Sequence, residues 1–293
     1  MTPSLLETAR ARVVLFDGGL GSELIARGLP QGVPPESWNV DRPDVVREVH
    51  RSYFEAGADV VSTNSFGGSP IKLRAYGLED RAAELNRAAA SLAVSVRPAG
   101  KFVAGSIGPT GKFLKPQGDF DPEDFVRAFR VQAQALAEGG VDVLILETMY
   151  DLEEALCGVR AARESSSLPV FATMTFNRSP RGFFTLMGDS VAKCARALEE
   201  AGASAVGSNC TLDSAAMADL VKEFRAATSL PVIAQPNAGQ PTIVGESRVV
   251  YSQGVEDYTA FVPAMVSNGA RFVGGCCGTD PSYIRRMAEV LRG

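Results

Sequence analysis

A single eight-stranded (β/α) barrel, an α/β fold of the TIM type, is the architecture that three observations predict. Short apolar, β-branched runs alternate with helical patterns along the whole chain. Helical patterns repeatedly close on glycine just before the next strand. No composition break or low-complexity linker divides the 293 residues. With 45% hydrophobic residues the chain can bury a large core, so residues 1–293 read as one domain, long in general but normal for this barrel. A doubly wound open sheet is the competing architecture.

The strands are expected at Val13–Asp17, Asp59–Thr63, Lys101–Ser106, Val143–Glu147, Val170–Thr175, Ala203–Ser208, Val232–Gln235 and Phe272–Gly274. Runs such as Val143-Leu144-Ile145-Leu146 are continuously apolar, as strands buried on both sides must be. Helices are expected at Pro43–Ala56, Asp80–Val96, Pro122–Glu138, Leu152–Arg163, Ser190–Glu200, Ser214–Ala226, Val255–Ser267 and Pro281–Leu291. Asp121-Pro122 and Asp280-Pro281 each place an N-cap before a first-position proline. Gly57, Gly140, Gly202 and Gly269 sit where C-capping needs a left-handed residue. The longest loops follow the second, third, fifth and seventh strands: Phe66-Gly67-Gly68, 108–121, 181–187 and 236–245.

Net charge is −5 and dispersed, with no basic stripe for nucleic acid or an anionic membrane. Five cysteines without framework spacing argue for a reducing compartment. The start, Met1 to Thr8, lacks a basic, apolar leader, and no apolar run is long enough to span a bilayer. A cytoplasmic protein is expected.

The chemistry centres on Gly274-Gly275-Cys276-Cys277-Gly278. Adjacent side chains on a regular strand point to opposite faces, so two neighbouring thiols share a target only where the backbone departs from the strand. The flanking glycines permit that departure. Cys210 follows another apolar stretch, Ala205 to Asn209. Three thiolates from two strand ends would hold one soft metal ion with a fourth position open, the arrangement of a catalytic zinc site. Cys157, Cys194 and the lone His50 lie within helical patterns and have no ligand spacing to the pair. Packing of Cys276 and Cys277 as small apolar residues, or a strained vicinal disulfide, are the structural alternatives.

Active sites of this fold lie at the C-terminal strand ends. Asp17-Gly18-Gly19 ends the first strand, Asn64 the second, Glu147 the fourth, Asn209-Cys210 the sixth and Asn237 the seventh. Asp17 and Glu147 could hold an ammonium group, while backbone N–H groups around Gly18–Gly21 could hold a carboxylate. Three thiolates make zinc a poor Lewis acid for water but a good anchor for a fourth, substrate thiolate. An amino-acid thiol fits that pocket, and alkyl transfer to sulfur fits the metal.

Asp17-Gly18-Gly19, Gly207-Ser208-Asn209-Cys210 and Gly274 to Gly278 together resemble the signatures of the zinc-dependent homocysteine S-methyltransferase family. The resemblance covers nearly the whole chain and is nearest to the homocysteine-binding barrel of cobalamin-dependent methionine synthase. Val46–Val61, Thr63 to Gly67, Ile107 to Gly111, Met174 to Phe176 and Pro236 to Gly239 support it. It implies Cys210, Cys276 and Cys277 as zinc ligands and Asp17 and Glu147 as the amine-binding carboxylates. It also implies Asn237 as the ligand that fills the fourth zinc position until substrate thiolate displaces it. Gly18, Gly19 and Asn64 complete the expected substrate contacts.

Methionine synthases of that type carry folate and cobalamin modules, whereas this chain ends at the last barrel helix. The expected donor is therefore methylcobalamin on a separate corrinoid protein, with S-methylmethionine, S-adenosylmethionine or betaine as alternatives. Trp38 lies near where betaine-using relatives place a donor-binding tryptophan, although packing is the simpler role. Residues 178–187 could form a docking lip for a carrier or a loop packed on the rim. A methyltransferase for another thiol, and a non-catalytic thiol- or corrinoid-protein-binding subunit, are the competing functions.

Overall fold

The structure, a computed structural model, describes residues 3–244 and 248–293. Met1 and Thr2 of the expected leaderless start, and Gly245 of the long loop after the seventh strand, lie outside the described residues. Eight parallel strands form one sheet: β1 (Val14–Leu15), β2 (Val60–Ser62), β3 (Phe102–Ile107), β4 (Val143–Met149), β5 (Val170–Met174), β6 (Ala205–Asn209), β7 (Val232–Gln235) and β8 (Ala270–Val273). They neighbour one another in the order β1-β8-β7-β6-β5-β4-β3-β2. A parallel bridge between Phe16 and Val60, with Asp59 N–H donating to the Leu15 carbonyl at 2.7 Å, joins the two ends into a barrel. Helices surround it, as the alternating pattern predicts.

Alternate residues of each strand point inward, and the inner set is apolar low in the barrel and polar at the top. Phe16, Val60, Phe102, Ile145, Phe171 and Phe272 belong to one buried cluster inside the strands. Phe272 stacks between Phe16 and Phe171, with ring centroids 6.0 and 4.9 Å away. The N-terminal helix Leu5–Ala11 adds Leu5 and Ala9 to this cluster and so plugs one end. Two residues beyond Val60, Ala104, Ile145, Phe171 and Ile233 of that cluster lie Ser62, Ser106, Glu147, Thr173 and Gln235. The sequence parity thus builds a polar layer on an apolar floor.

The outer helices bury one stripe against the strands. In Pro122–Glu138, Phe125, Phe129, Gln132 and Leu136 recur at helical spacing and are buried. Asp124 carboxylate accepts the Asp121 N–H at 2.9 Å at its start, closing a capping box. Gln132 donates its amide to Ser65 O at 2.6 Å and so pins the loop after β2. The helix–glycine–strand junctions are left-handed as expected, with φ of 108° at Gly57, 91° at Gly140, 93° at Gly202 and 115° at Gly269.

The expected helix Val255–Ser267 is two helices, Val255–Thr259 and Val262–Ser267. Pro263 stands in the first turn of the second, where its missing N–H is harmless; in a continuous helix its ring would collide with the Thr259 carbonyl. The rim segment 178–187 contains a small antiparallel hairpin, Asn177–Ser179 with Gly182–Phe184. A second hairpin, Pro241–Val244 with Arg248–Tyr251, stands after β7. Among the described residues no helix is long and apolar enough to cross a membrane.

Candidate active site

All eight strands deliver their C-terminal ends to one face, and a cavity of about 320 Å³ opens there. Cys210, Cys276, Cys277, Asp17 and Glu147 line it, together with Glu36, Phe66 and Tyr76. The three sulfurs all lie within 4.8 Å of one another, and Cys210 Sγ and Cys277 Sγ are 3.9 Å apart. Two thiolates bound at about 2.3 Å to one tetrahedral zinc stand roughly 3.8 Å apart, so the triad fits such an ion with little movement.

Local backbone explains how adjacent cysteines reach one point. Cys276 and Cys277 lie beyond the end of β8, in a turn rather than on the strand. Gly275 N–H donates to Asp17 O at 2.9 Å, Cys276 N–H to Pro236 O at 2.9 Å, and Ala238 N–H to Cys277 O at 3.0 Å. These bonds hold the turn between the ends of β1 and β7. A Cβ on Gly275 would lie 2.1 Å from Thr279 Oγ1, and Gly278 has φ of +80° with the Tyr251 ring 2.3 Å from where its Cβ would be. Cys210 on the facing strand end has φ of +62° and Thr211 +56°. Non-glycine residues in that region cost about 1–3 kcal/mol each, a strain that the surroundings must hold.

Hydrogen bonds from Cys276 and Cys277 drive the Cys210 thiol well below the ordinary range, and donating them pushes the other two up. Soft cations bind clustered thiols by displacing their protons.

Asp17 is buried, and its carboxylate accepts from Ser62 N–H at 2.7 Å and Ser62 Oγ at 3.2 Å. Burial pushes it up to about 8, with Glu147 adding like-charge repulsion. Glu147 accepts from Ser106 Oγ, and burial pushes it up to about 7. A cation beside the two carboxylates would favour their charged forms. Glu147 reaches the cavity where the β4–β5 register shifts and Thr148 takes φ of +62°.

Other sequence-predicted contacts have structural partners. Gly19 N–H donates to Thr279 O at 2.8 Å, just before the helix Leu20–Ala26, whose N-terminus has no side-chain cap. Gly18 and Gly19 pack tightly, since a Cβ would lie 2.6 Å from Thr279 O and 2.7 Å from Cys276 O respectively. Asn64 lines the cavity, but its amide donates to Pro35 O at 2.7 Å and Asn39 Oδ1 at 3.0 Å. Asn237 accepts the Cys277 N–H on Oδ1 at 3.1 Å, beside the triad. Trp38 is buried in the core with the Arg42 guanidinium 5.2 Å over its ring, which is the packing role.

Sequence reasoning did not single out Ser62 and Ser106, which orient the two carboxylates, or the side chain of Asn209. Their signal was inward parity at strand ends, readable only once the register is known.

The sequence model of the homocysteine S-methyltransferase family matches residues 14–291. Methionine synthase of Mycobacterium tuberculosis is 32% identical over 305 residues, covering 98% of this chain and 25% of that protein. Methionine synthase of Mycobacterium leprae is 31% identical over 306 residues, with the same coverage. The chain thus spans about a quarter of the length of these curated relatives. Among solved structures, the oxidised form of the homocysteine methyltransferase MmuM from Escherichia coli matches with a TM-score of 0.79 at 25% identity, covering 96% of each chain. Its metallated form matches with a TM-score of 0.79 at 24% identity, covering 95% of this chain and 96% of that one. Its cysteine turn, its facing Asn-Cys strand end and a family match over nearly its full length establish that the chain belongs to the homocysteine S-methyltransferase family.

Proposed function

We propose that residues 1–293 form one homocysteine-binding barrel domain, a zinc-dependent S-methyltransferase that moves a methyl group to homocysteine and yields methionine. One observation carries the reading: a three-cysteine cluster and two carboxylates, Asp17 and Glu147, share one cavity. A substrate that bears a thiol and an ammonium group a few bonds apart satisfies both. Zinc held by Cys210, Cys276 and Cys277 would supply a position that keeps the acceptor sulfur as thiolate at neutral pH. Asp17 and Glu147 would bind the ammonium group, whose charge restores their ionisation. The first-turn N–H groups of the helix Leu20–Ala26, with Gly18 and Gly19 packed beneath, would receive the carboxylate. Asn64 would shape the wall through its bonds to Pro35 and Asn39. Asn237, whose Oδ1 accepts the Cys277 N–H beside the triad, would be the resting ligand.

Methylcobalamin on a separate corrinoid protein is the proposed donor, as the resemblance to the barrel of cobalamin-dependent methionine synthase implies. A small sulfonium donor, S-methylmethionine, is the second reading. The cavity lining favours it, because buried Glu36 and the aromatic residues Phe66 and Tyr76 belong to it. A site built on three reduced thiols supports a cytoplasmic location as part of this reading.

Zinc content and thiol methylation are measured on the purified protein and on Cys210→Ser, Cys276→Ser and Cys277→Ser. Donors are free methylcobalamin, S-methylmethionine and betaine in turn. One zinc per chain, lost with activity in each serine variant, is expected. A zinc-free protein whose serine variants still methylate homocysteine would refute the mechanism, and the donor that turns over decides between the two readings.

A further inference from the structure

Asn209 is 1% exposed and uses every hydrogen-bonding position of its amide. Oδ1 accepts from Thr148 N–H at 2.7 Å and from Thr173 Oγ1 at 2.8 Å. Nδ2 donates to Thr148 Oγ1 at 2.7 Å and to Cys276 Sγ at 3.6 Å. One side chain therefore spans the end of β4, the end of β5 and the turn after β8. Thr148 is the left-handed residue next to Glu147, and Asn209 holds it from both its N–H and its hydroxyl. Cys210, the next residue along the chain, is itself left-handed. Nothing on β4 alone fixes a threonine in that conformation; two bonds from a buried amide do.

We propose that Asn209 is a positioning residue that ties the metal-binding cysteine Cys276 to the carboxylate Glu147, so that both ends of the acceptor site are set by one amide. The inference rests on the reading of the triad as a metal site and of Glu147 as an amine receptor. An N–H donor on a metal-bound thiolate withdraws charge from the sulfur, which weakens its repulsion of a further thiolate on the same ion. The same amide fixes the backbone that aims Glu147 into the cavity. Distance between sulfur site and amine site is then set by rigid contacts rather than by either side chain's own freedom.

Asn209→Asp keeps the shape and removes both donors, leaving a carboxylate oxygen against Cys276 Sγ. Metal affinity is measured by chelator competition with zinc, sulfur-to-metal charge transfer on the cobalt-substituted protein, and amine-side binding by calorimetry with methionine. The variant is expected to lose at least tenfold in metal affinity, to shift the charge-transfer band, and to bind methionine several-fold more weakly. Thr148→Val, whose lost hydroxyl bonds to Asn209 rather than to a cysteine, is expected to shift the same band and covers the case of an unfolded Asn209→Asp. An unchanged band in Thr148→Val, or methionine affinity within twofold of wild type in a folded Asn209→Asp, overturns the coupling. A wild-type protein that takes up no zinc or cobalt would instead refute the underlying metal-site reading.

Discussion

Replacement of Asp17 by asparagine tests the amine receptor through its pH dependence. Asparagine keeps an oxygen for the Ser62 N–H, so the strand end stays in place while the charge is lost. Burial raises Asp17 to about 8, and only its ionised form attracts an ammonium group strongly. The ionised fraction is then roughly 1% at pH 6 and about half at pH 8, a rise of about fiftyfold. The sign follows: affinity owed to Asp17 grows as pH rises towards 8. A charge-assisted bond of about 2–3 kcal/mol corresponds to roughly 30- to 150-fold in affinity once the group is ionised. Calorimetry with methionine avoids titration of a substrate thiol. The ratio of wild-type to Asp17→Asn affinity is expected near unity at pH 6 and several tens at pH 8. A ratio that stays flat across that range would refute the assignment, whatever the absolute affinities.

Asp59→Asn probes the barrel end opposite the site. Asp59 is buried and accepts from Arg12 at 2.6 Å, Lys101 at 2.8 Å and Leu15 N–H at 3.1 Å. Burial raises its carboxyl, but these partners outweigh burial and bring it to about 2. The variant should lose about 1–3 kcal/mol in urea unfolding at pH 7. Because the folded value is depressed, that contribution is complete above about pH 4 and vanishes as pH falls through 2, so the two proteins should converge in acid. Gly278→Ala forces a side chain onto the Tyr251 ring at a φ of +80°. It is expected to lower zinc affinity at least tenfold in chelator competition while far-ultraviolet circular dichroism stays that of the wild type.

Much of this was legible in the chain because the signals are local. Strands buried on both faces must be continuously apolar, and helix ends before them need left-handed residues, so Val143 to Leu146 and Gly57 or Gly202 announce themselves. The cysteine turn was legible for the same reason, since glycines mark the departure from the strand. What escaped depends on register. Asn64 and Asn209 are both asparagines at strand ends, yet one spends its amide on Pro35 and Asn39 while the other reaches Cys276. No pattern within either segment separates them, because their partners lie on other strands and loops. The break before Pro263 escaped because apolar periodicity runs on through Tyr258, Val262 and Met265, all buried, and hides the missing donor.

The joint between β1 and β2 has a consequence for motion. A single backbone bridge, Phe16 with Val60, joins these strands, whereas the other neighbours pair over two or more residues. Beyond that bridge the Asp17 side chain continues the ladder by accepting the Ser62 N–H. The acceptor's ammonium group would therefore bind at the thinnest seam of the barrel, on the carboxylate that laces it. Amides of residues 60–62 should exchange with solvent sooner than those of β4 or β5, and an amino-acid ligand should slow them most.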